Sequence, residues 1–169
     1  MYQTADPAGA LFGLEAREIS SVSQADVVGF IHTILANECG MHVRRQLESS
    51  VSQFFDRFHP DTHLFMAYYR NNGLIGLLGV DRRSETTAVL KWVFVAPNAR
   101  RFGLGGHLVD LAIQFSRRRG YLRLVLCTGS GMPDAHRLYL KKGFTFKENV
   151  TLWRRSMQIL ARDLVAAAQ

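Results

Sequence analysis

Cysteine is scarce in this chain. Cys39 and Cys127 are the only two in 169 residues, and they show no metal-ligand spacing. Such a pair builds no disulfide framework, so free thiols in a reducing compartment are expected. The six histidines are scattered, with no HExxH or CxxC pattern near them, so no metal site is expected. No run is long and apolar enough to cross a bilayer, so no membrane association is expected. The opening "MYQTADPAGALFG" has no basic segment before its short apolar part. It does not read as a secretory leader, and a cytoplasmic location is expected. Acid is also in short supply, with 14 Asp and Glu against 21 Lys and Arg and a net charge of +7. Internal repeats, low-complexity tracts and linkers are absent.

What remains is the balance of a globular protein: 47% hydrophobic and 21% charged residues. The length suits one domain over residues 1–169, with residues 1–14 as an N-terminal extension. The basic excess admits a nucleic acid, an acidic protein or a polyanionic cofactor as partner, and charge alone does not choose.

Periodicity orders the chain. "LEAREISSV" reads as a first strand. Val27, Val28, Phe30, Ile31, Ile34 and Leu35 then recur at helical spacing, between a capping pair at Ser23 and Asp26 and a stop at Gly40. A second helix follows through "HVRRQLESSVSQFFDRF", with Val43, Leu47, Val51, Phe54, Phe55 and Phe58 on its apolar face. Two apolar runs flank Asn71-Asn72-Gly73, a strong hairpin signal. "TTAVLKWVFV" is a third strand, a helix runs from about Gly105 to Arg119, and "YLRLVLCT" is a buried-type strand. "PDAHRLYLKKG" is a short helix with Pro133 in its first turn and Gly143 as its cap. "FTFKEN" and "LWRRSMQIL" read as the last strands, and a helix is also open for the second. The order predicts a mixed α/β (α+β) fold: an early meander, a later crossover helix and about four helices in all.

One stretch carries chemistry. After Val95-Ala96-Pro97 come Arg100, Arg101 and Phe102, then Gly103-Leu104-Gly105-Gly106 opening a helix. The first N–H groups of a helix lack intrahelical partners, and the helix dipole adds positive potential there. Glycine lets an anion approach the backbone, so the turn suits a phosphate or pyrophosphate. Other phosphate motifs fit less well. A Walker A loop needs Gly-Lys-Ser/Thr, but His107 and Leu108 follow Gly106. A dinucleotide fingerprint needs a third glycine where Leu108 stands.

These residues resemble the GNAT family of N-acetyltransferases. The family signature, Arg/Gln-x-x-Gly-x-Gly/Ala after a strand, reads here Arg100-Arg101-Phe102-Gly103-Leu104-Gly105. The downstream Ala-x-x-x-Tyr and Gly-Phe are Ala135, Tyr139, Gly143 and Phe144. The resemblance implies a mostly antiparallel sheet splayed into a V-shaped slot for acetyl-CoA, whose acetyl group passes to an amine. By the same resemblance, Arg100 and residues 101–106 bind the CoA pyrophosphate, and Val93, Phe94 and Val95 pair with the pantetheine arm. Tyr139 falls on the tyrosine that protonates the departing thiolate. The glutamate that often deprotonates the amine has no counterpart inside "TTAVLKWVFV". Glu85, at its start, is the candidate base, with a water chain as the other route. Met132 replaces a frequent asparagine, and Arg101 stands where glycine is common.

The acceptor is expected to be a small amine, an amino acid or a peptide N-terminus. The shortage of acid argues against polycationic acceptors. A homodimer is left open. Two other readings stand beside enzyme: a non-catalytic acyl-CoA sensor, and a basic nucleic-acid module, for which no RNP, helix-turn-helix or zinc-finger signature is present.

Overall fold

The computed structural model describes residues 12–129 and 131–164. Of the stretch read as an N-terminal extension, residues 1–11 lie outside the described residues, while Phe12 and Leu14 pack onto the core ahead of the first strand. Seven strands form one sheet in the order β1-β2-β3-β4-β5-β7-β6. The strands are β1 (Glu15–Arg17), β2 (Leu64–Arg70), β3 (Gly73–Arg82), β4 (Thr87–Val95), β5 (Arg123–Gly129), β6 (Thr145–Leu152) and β7 (Arg155–Asp163). Among the described residues four helices flank it: α1 (Gln24–Cys39), α2 (Arg44–Arg57), α3 (Leu104–Arg118) and α4 (Pro133–Lys141). All neighbouring strands are antiparallel except β4 and β5, which α3 connects.

Both faces of the sheet are covered, so β2 is apolar on both sides. Met66 and Tyr68 join the core under α3 and α4. Phe65, Ala67 and Tyr69 join the core under α1 and α2. An antiparallel strand with one wet face would alternate with polar residues; this one does not. At the sheet's far edge, β6 is almost wholly exposed.

Local signals set the boundaries. Ser23 Oγ accepts from the Asp26 N–H, and Gly40 ends α1 in the left-handed conformation (φ 62°). The first strand is shorter than its pattern, because Ile19–Ser21 close into a 3₁₀ turn. The β2–β3 turn uses Asn71 and Asn72, both at positive φ, while Gly73 already pairs with Arg70. The last stretch is a strand, β7, paired with β5 and β6.

A bulge in β4 shapes the middle of the sheet. Gly79 pairs with Trp92 and Val80 with Leu90, leaving Lys91 as the extra residue. The insertion turns both Lys91 and Trp92 toward the α1–α2 face, where Trp92 meets Phe54 at 4.8 Å between ring centroids. Gly79 is required opposite: a Cβ there would lie 2.6 Å from Trp92 Cε3. Trp92 is buried and cannot retreat cheaply. Gly79→Ala is therefore expected to cost about 1–3 kcal/mol. Urea titration should show a lower midpoint with an unchanged slope.

Candidate active site

The sheet is incomplete at its centre. β4 and β5 pair only at Thr87–Arg123, Ala88–Leu124 and Val89–Val125. Beyond these, β4 stays bonded to β3 as far as Val95, and β5 to β7 as far as Gly129. Each strand is thus held by its outer neighbour while the inner edges part. Between them opens a cavity of about 1020 Å³. Its walls include residues 89–94, Leu126, Cys127, Thr128 and Gly129, and α1, α2 and the β6–β7 turn close its far side. An unpaired strand edge inside a protein exposes backbone donors and acceptors that an extended ligand can satisfy.

The glycine turn lies where β4 leaves the sheet. Ala96 N–H bonds the Ile75 carbonyl at 2.7 Å, and Pro97–Ala99 make a 3₁₀ turn. Arg101 (φ 68°) and Gly103 (φ 89°) take left-handed conformations, and α3 starts at Leu104. The first carbonyl-bonded donor of α3 is His107 N–H, to Gly103 O at 3.1 Å. Among the described residues no side chain caps the helix, and its first turn has no acid. The N–H groups of Leu104, Gly105 and Gly106 are the orphan donors of a helix start.

The two arginines of this turn differ. Arg101 is exposed, with no partner among the described residues. Arg100 is engaged: its Nε donates to the Val95 carbonyl at 2.9 Å, and its two terminal nitrogens donate to the carboxylate of Glu38, one at 2.8 Å. The Glu38 hydrogen bonds raise its pKa further. Arg100 therefore ties the end of β4 to the end of α1. Phe102 is 71% exposed. The missing side chains of Gly105 and Gly106 face α4: a Cβ on Gly105 would lie 3.5 Å from Leu138, and one on Gly106 3.5 Å from Lys142 Cε. Both distances are ordinary van der Waals contacts, so the packing of α3 on α4 does not itself require these glycines. Lys142 Nζ lies beside the helix start, its charge held by Asp110 at 2.9 Å.

Tyr139 lines the cavity from α4 and is 8% exposed. Its hydroxyl has no hydrogen-bond partner among the described residues. Burial alone pushes its pKa up to about 12. Phe144 holds the ring edge-on, with centroids 5.9 Å apart. Val93 and Phe94 line the cavity too, while Val95 is buried in the core under α3. Glu85 is elsewhere. It is exposed in the β3–β4 turn, at the end where β4 and β5 remain paired, and it does not line the cavity.

Several lining residues carried no signal in the sequence. Trp153 and Arg154 form the β6–β7 turn, both at positive φ without a glycine. That strained turn brings Trp153 and Arg155 to the cavity. Cys39 and Cys127 also line it, and burial pushes both thiols up, away from the reactive thiolate. None of the described lining residues is Asp, Glu or His; Arg45, Lys91 and Arg155 are cationic. Among the described residues no group of His, Cys, Asp and Glu could hold a metal ion, and no helix is long and apolar enough to cross a membrane.

Known proteins share this architecture. An acetyltransferase from Streptococcus agalactiae superposes with a TM-score of 0.79 at 22% identity, covering 90% of this chain and 99% of that one. The PaiA N-acetyltransferase of Thermoplasma acidophilum, solved in complex with coenzyme A, gives a TM-score of 0.66 at 16% identity, covering 89% and 98%. In sequence, N-acetyltransferase 8 of Homo sapiens is 34% identical over 87 residues. Those residues are 49% of this chain, which spans only 38% of that relative's length. Residues 26–144 match the acetyltransferase (GNAT) family, and by that match the chain belongs to it.

Proposed function

We propose that the chain moves an acetyl group from acetyl-CoA to a primary amine of a small molecule, amino acid or peptide, with both bound together. The parted β4–β5 edge carries this reading. An edge that stops pairing leaves buried N–H and C=O groups unsatisfied, each costing about 1–3 kcal/mol. The amides of a pantetheine arm would satisfy them. The helix start beside that edge suits the pyrophosphate through the N–H groups of Leu104, Gly105 and Gly106, with Arg101 adding charge. Arg100 belongs to the same site through the turn it braces. The coenzyme A bound by the Thermoplasma acidophilum protein, which shares this fold, supports the fit.

Acetyl-CoA supplies an activated acyl carbon and a thiolate leaving group. Backbone N–H groups along Val93, Phe94 and Val95 orient the arm and polarise the thioester carbonyl. Tyr139 donates its proton to the departing sulfur. A tyrosine with a pKa near 12 is fully protonated at neutral pH. The burial that raises the tyrosine also raises the thiolate pKa, which keeps the transfer feasible.

The amine must lose a proton first. Glu85 stands too far along the paired end to take it directly. A cavity lined by cations and no acid destabilises an ammonium by desolvation and like charge. The proton then leaves through water, and the amine stays neutral in the slot. The same potential opposes polycationic acceptors.

Tyr139→Phe tests the acid. It should lower kcat by about 10²–10⁴ while calorimetric affinity for acetyl-CoA holds within about threefold. An unchanged kcat in a thiol-release assay would sink this role. The raised pKa also has a stability signature. Folded Tyr139 keeps its proton to about pH 12, whereas the unfolded side chain loses it near 10. Its contribution is complete below pH 10 and lost as pH climbs from 10 to 12. Denaturant titrations should therefore show the wild-type stability, relative to Tyr139→Phe, falling by roughly 2–3 kcal/mol over that window.

A further inference from the structure

We infer that Arg100 and Glu38 form a positioning pair, which fixes the end of α1 and with it the acceptor wall of the cavity relative to the cofactor turn. This rests on the acetyl-transfer reading. It gives Arg100 a role in the acceptor site, where the family resemblance gives it one in the cofactor site.

Glu38 is poorly placed for its own helix. It sits in the last turn of α1, where the macrodipole disfavours an acid, and no base shares that turn. Arg100 compensates it from 62 positions along the chain. Both terminal nitrogens of the guanidinium donate to the Glu38 carboxylate, one at 2.8 Å, while Nε donates to the Val95 carbonyl at 2.9 Å. The two side chains are 37% and 29% exposed. A partly buried, bidentate pair is stronger and more directional than a single surface contact. It also commits the guanidinium, because a phosphate would have to break the pair to take the charge.

The end of α1 is gripped by both halves of the parted sheet. Arg100 reaches it from the β4 half. From the β5–β7 half come Gly131, whose carbonyl faces Cys39 Sγ at 3.9 Å, and Arg155, which donates to the Gly40 carbonyl at 2.9 Å. The Gly131 contact is tight: a Cβ there would lie 3.3 Å from Cys39 Sγ. Cys39 and Met41, on either side of the Gly40 cap, line the cavity. The two ends of the pair also serve opposite faces. α3, which the cofactor turn opens, packs on one face of the sheet, and α1 and α2 cover the other. The pair thus joins the turn that takes the pyrophosphate to the wall left for the amine.

Glu38→Ala tests this, with a residue that suits a helix. If Arg100 served the phosphates, losing Glu38 would free its charge and tighten acetyl-CoA about tenfold or more by calorimetry, and that result would overturn the inference. The positioning pair instead predicts an affinity within about threefold of the wild type. The acceptor should register the loss. With the best acceptor among phenylethylamine, L-phenylalanine and the peptide Ala-Ala-Phe, its KM should rise about tenfold while kcat stays within about threefold. An unchanged acceptor KM would overturn the inference. Hydrogen exchange decides even where none of the three is acetylated. The Gly40 and Met41 N–H groups bond the Ala36 and Leu35 carbonyls at the end of α1. Saturating acetyl-CoA should slow their exchange about tenfold or more in the wild type and leave it unchanged in Glu38→Ala, while residues 104–106 are protected in both. No slowing at Gly40 and Met41 in the wild type, or equal slowing in both proteins, would overturn the inference. No protection of residues 104–106 in either protein would remove the acetyl-CoA reading, and this inference with it.

Discussion

The structure depends on one interrupted ladder. β4 and β5 share three register pairs and then separate, although each continues for several residues bonded to its outer neighbour. Hydrogen bonding would favour zipping the two edges together. What resists it is the packing on either side. The bulge at Lys91 twists β4 away, with Gly79 making room for Trp92, and β5 is held along its whole length by β7. The unsatisfied edge is the cost, and the cavity is the result. The elements proposed to carry the chemistry lie at or next to that opening. Tyr139 reaches it from α4, α3 begins just past the end of β4, and Arg100 clamps that strand end to α1.

Charge organises the same space. The chain has a formal charge of +7, and the described residues lining the cavity include three cations and no acid. A pocket of that sign attracts anions and disfavours a bound ammonium. Arg100, by contrast, has little charge to offer a ligand. Glu38 already holds it, so its effect on a bound anion passes through the position of the turn.

Much of this was legible in the residues, because the relevant signals are local. The order of Val95-Ala96-Pro97, the arginines and the glycines marks a strand ending at an uncapped helix. Ser23 and Gly40 fix α1 by their own backbone needs, as Gly143 does after α4. The mixed sheet followed from the element order. What stayed hidden was set by tertiary contact. No local pattern shows that Lys91 is the extra residue of a bulge. The β6–β7 turn carries tryptophan and arginine at positive φ, where asparagine and glycine are the usual signals, so Trp153 and Arg155 gave no sign of facing the slot. Arg100 pairs with a residue 62 positions away. Glu85 looked near the chemistry because it opens β4, yet the slot opens at the strand's other end.

The central claim is that the turn through residues 100–106 binds the CoA pyrophosphate next to an open strand edge. Calorimetric titration of acetyl-CoA into the wild type and Arg101→Asp tests it most directly. Arg101 is exposed at φ 68°, a conformation that aspartate tolerates, so the substitution reverses a charge without disturbing the fold. The account predicts micromolar affinity in the wild type, weakened about tenfold or more in the variant at an unchanged melting temperature. No binding to the wild type, or equal binding to both proteins, would contradict it.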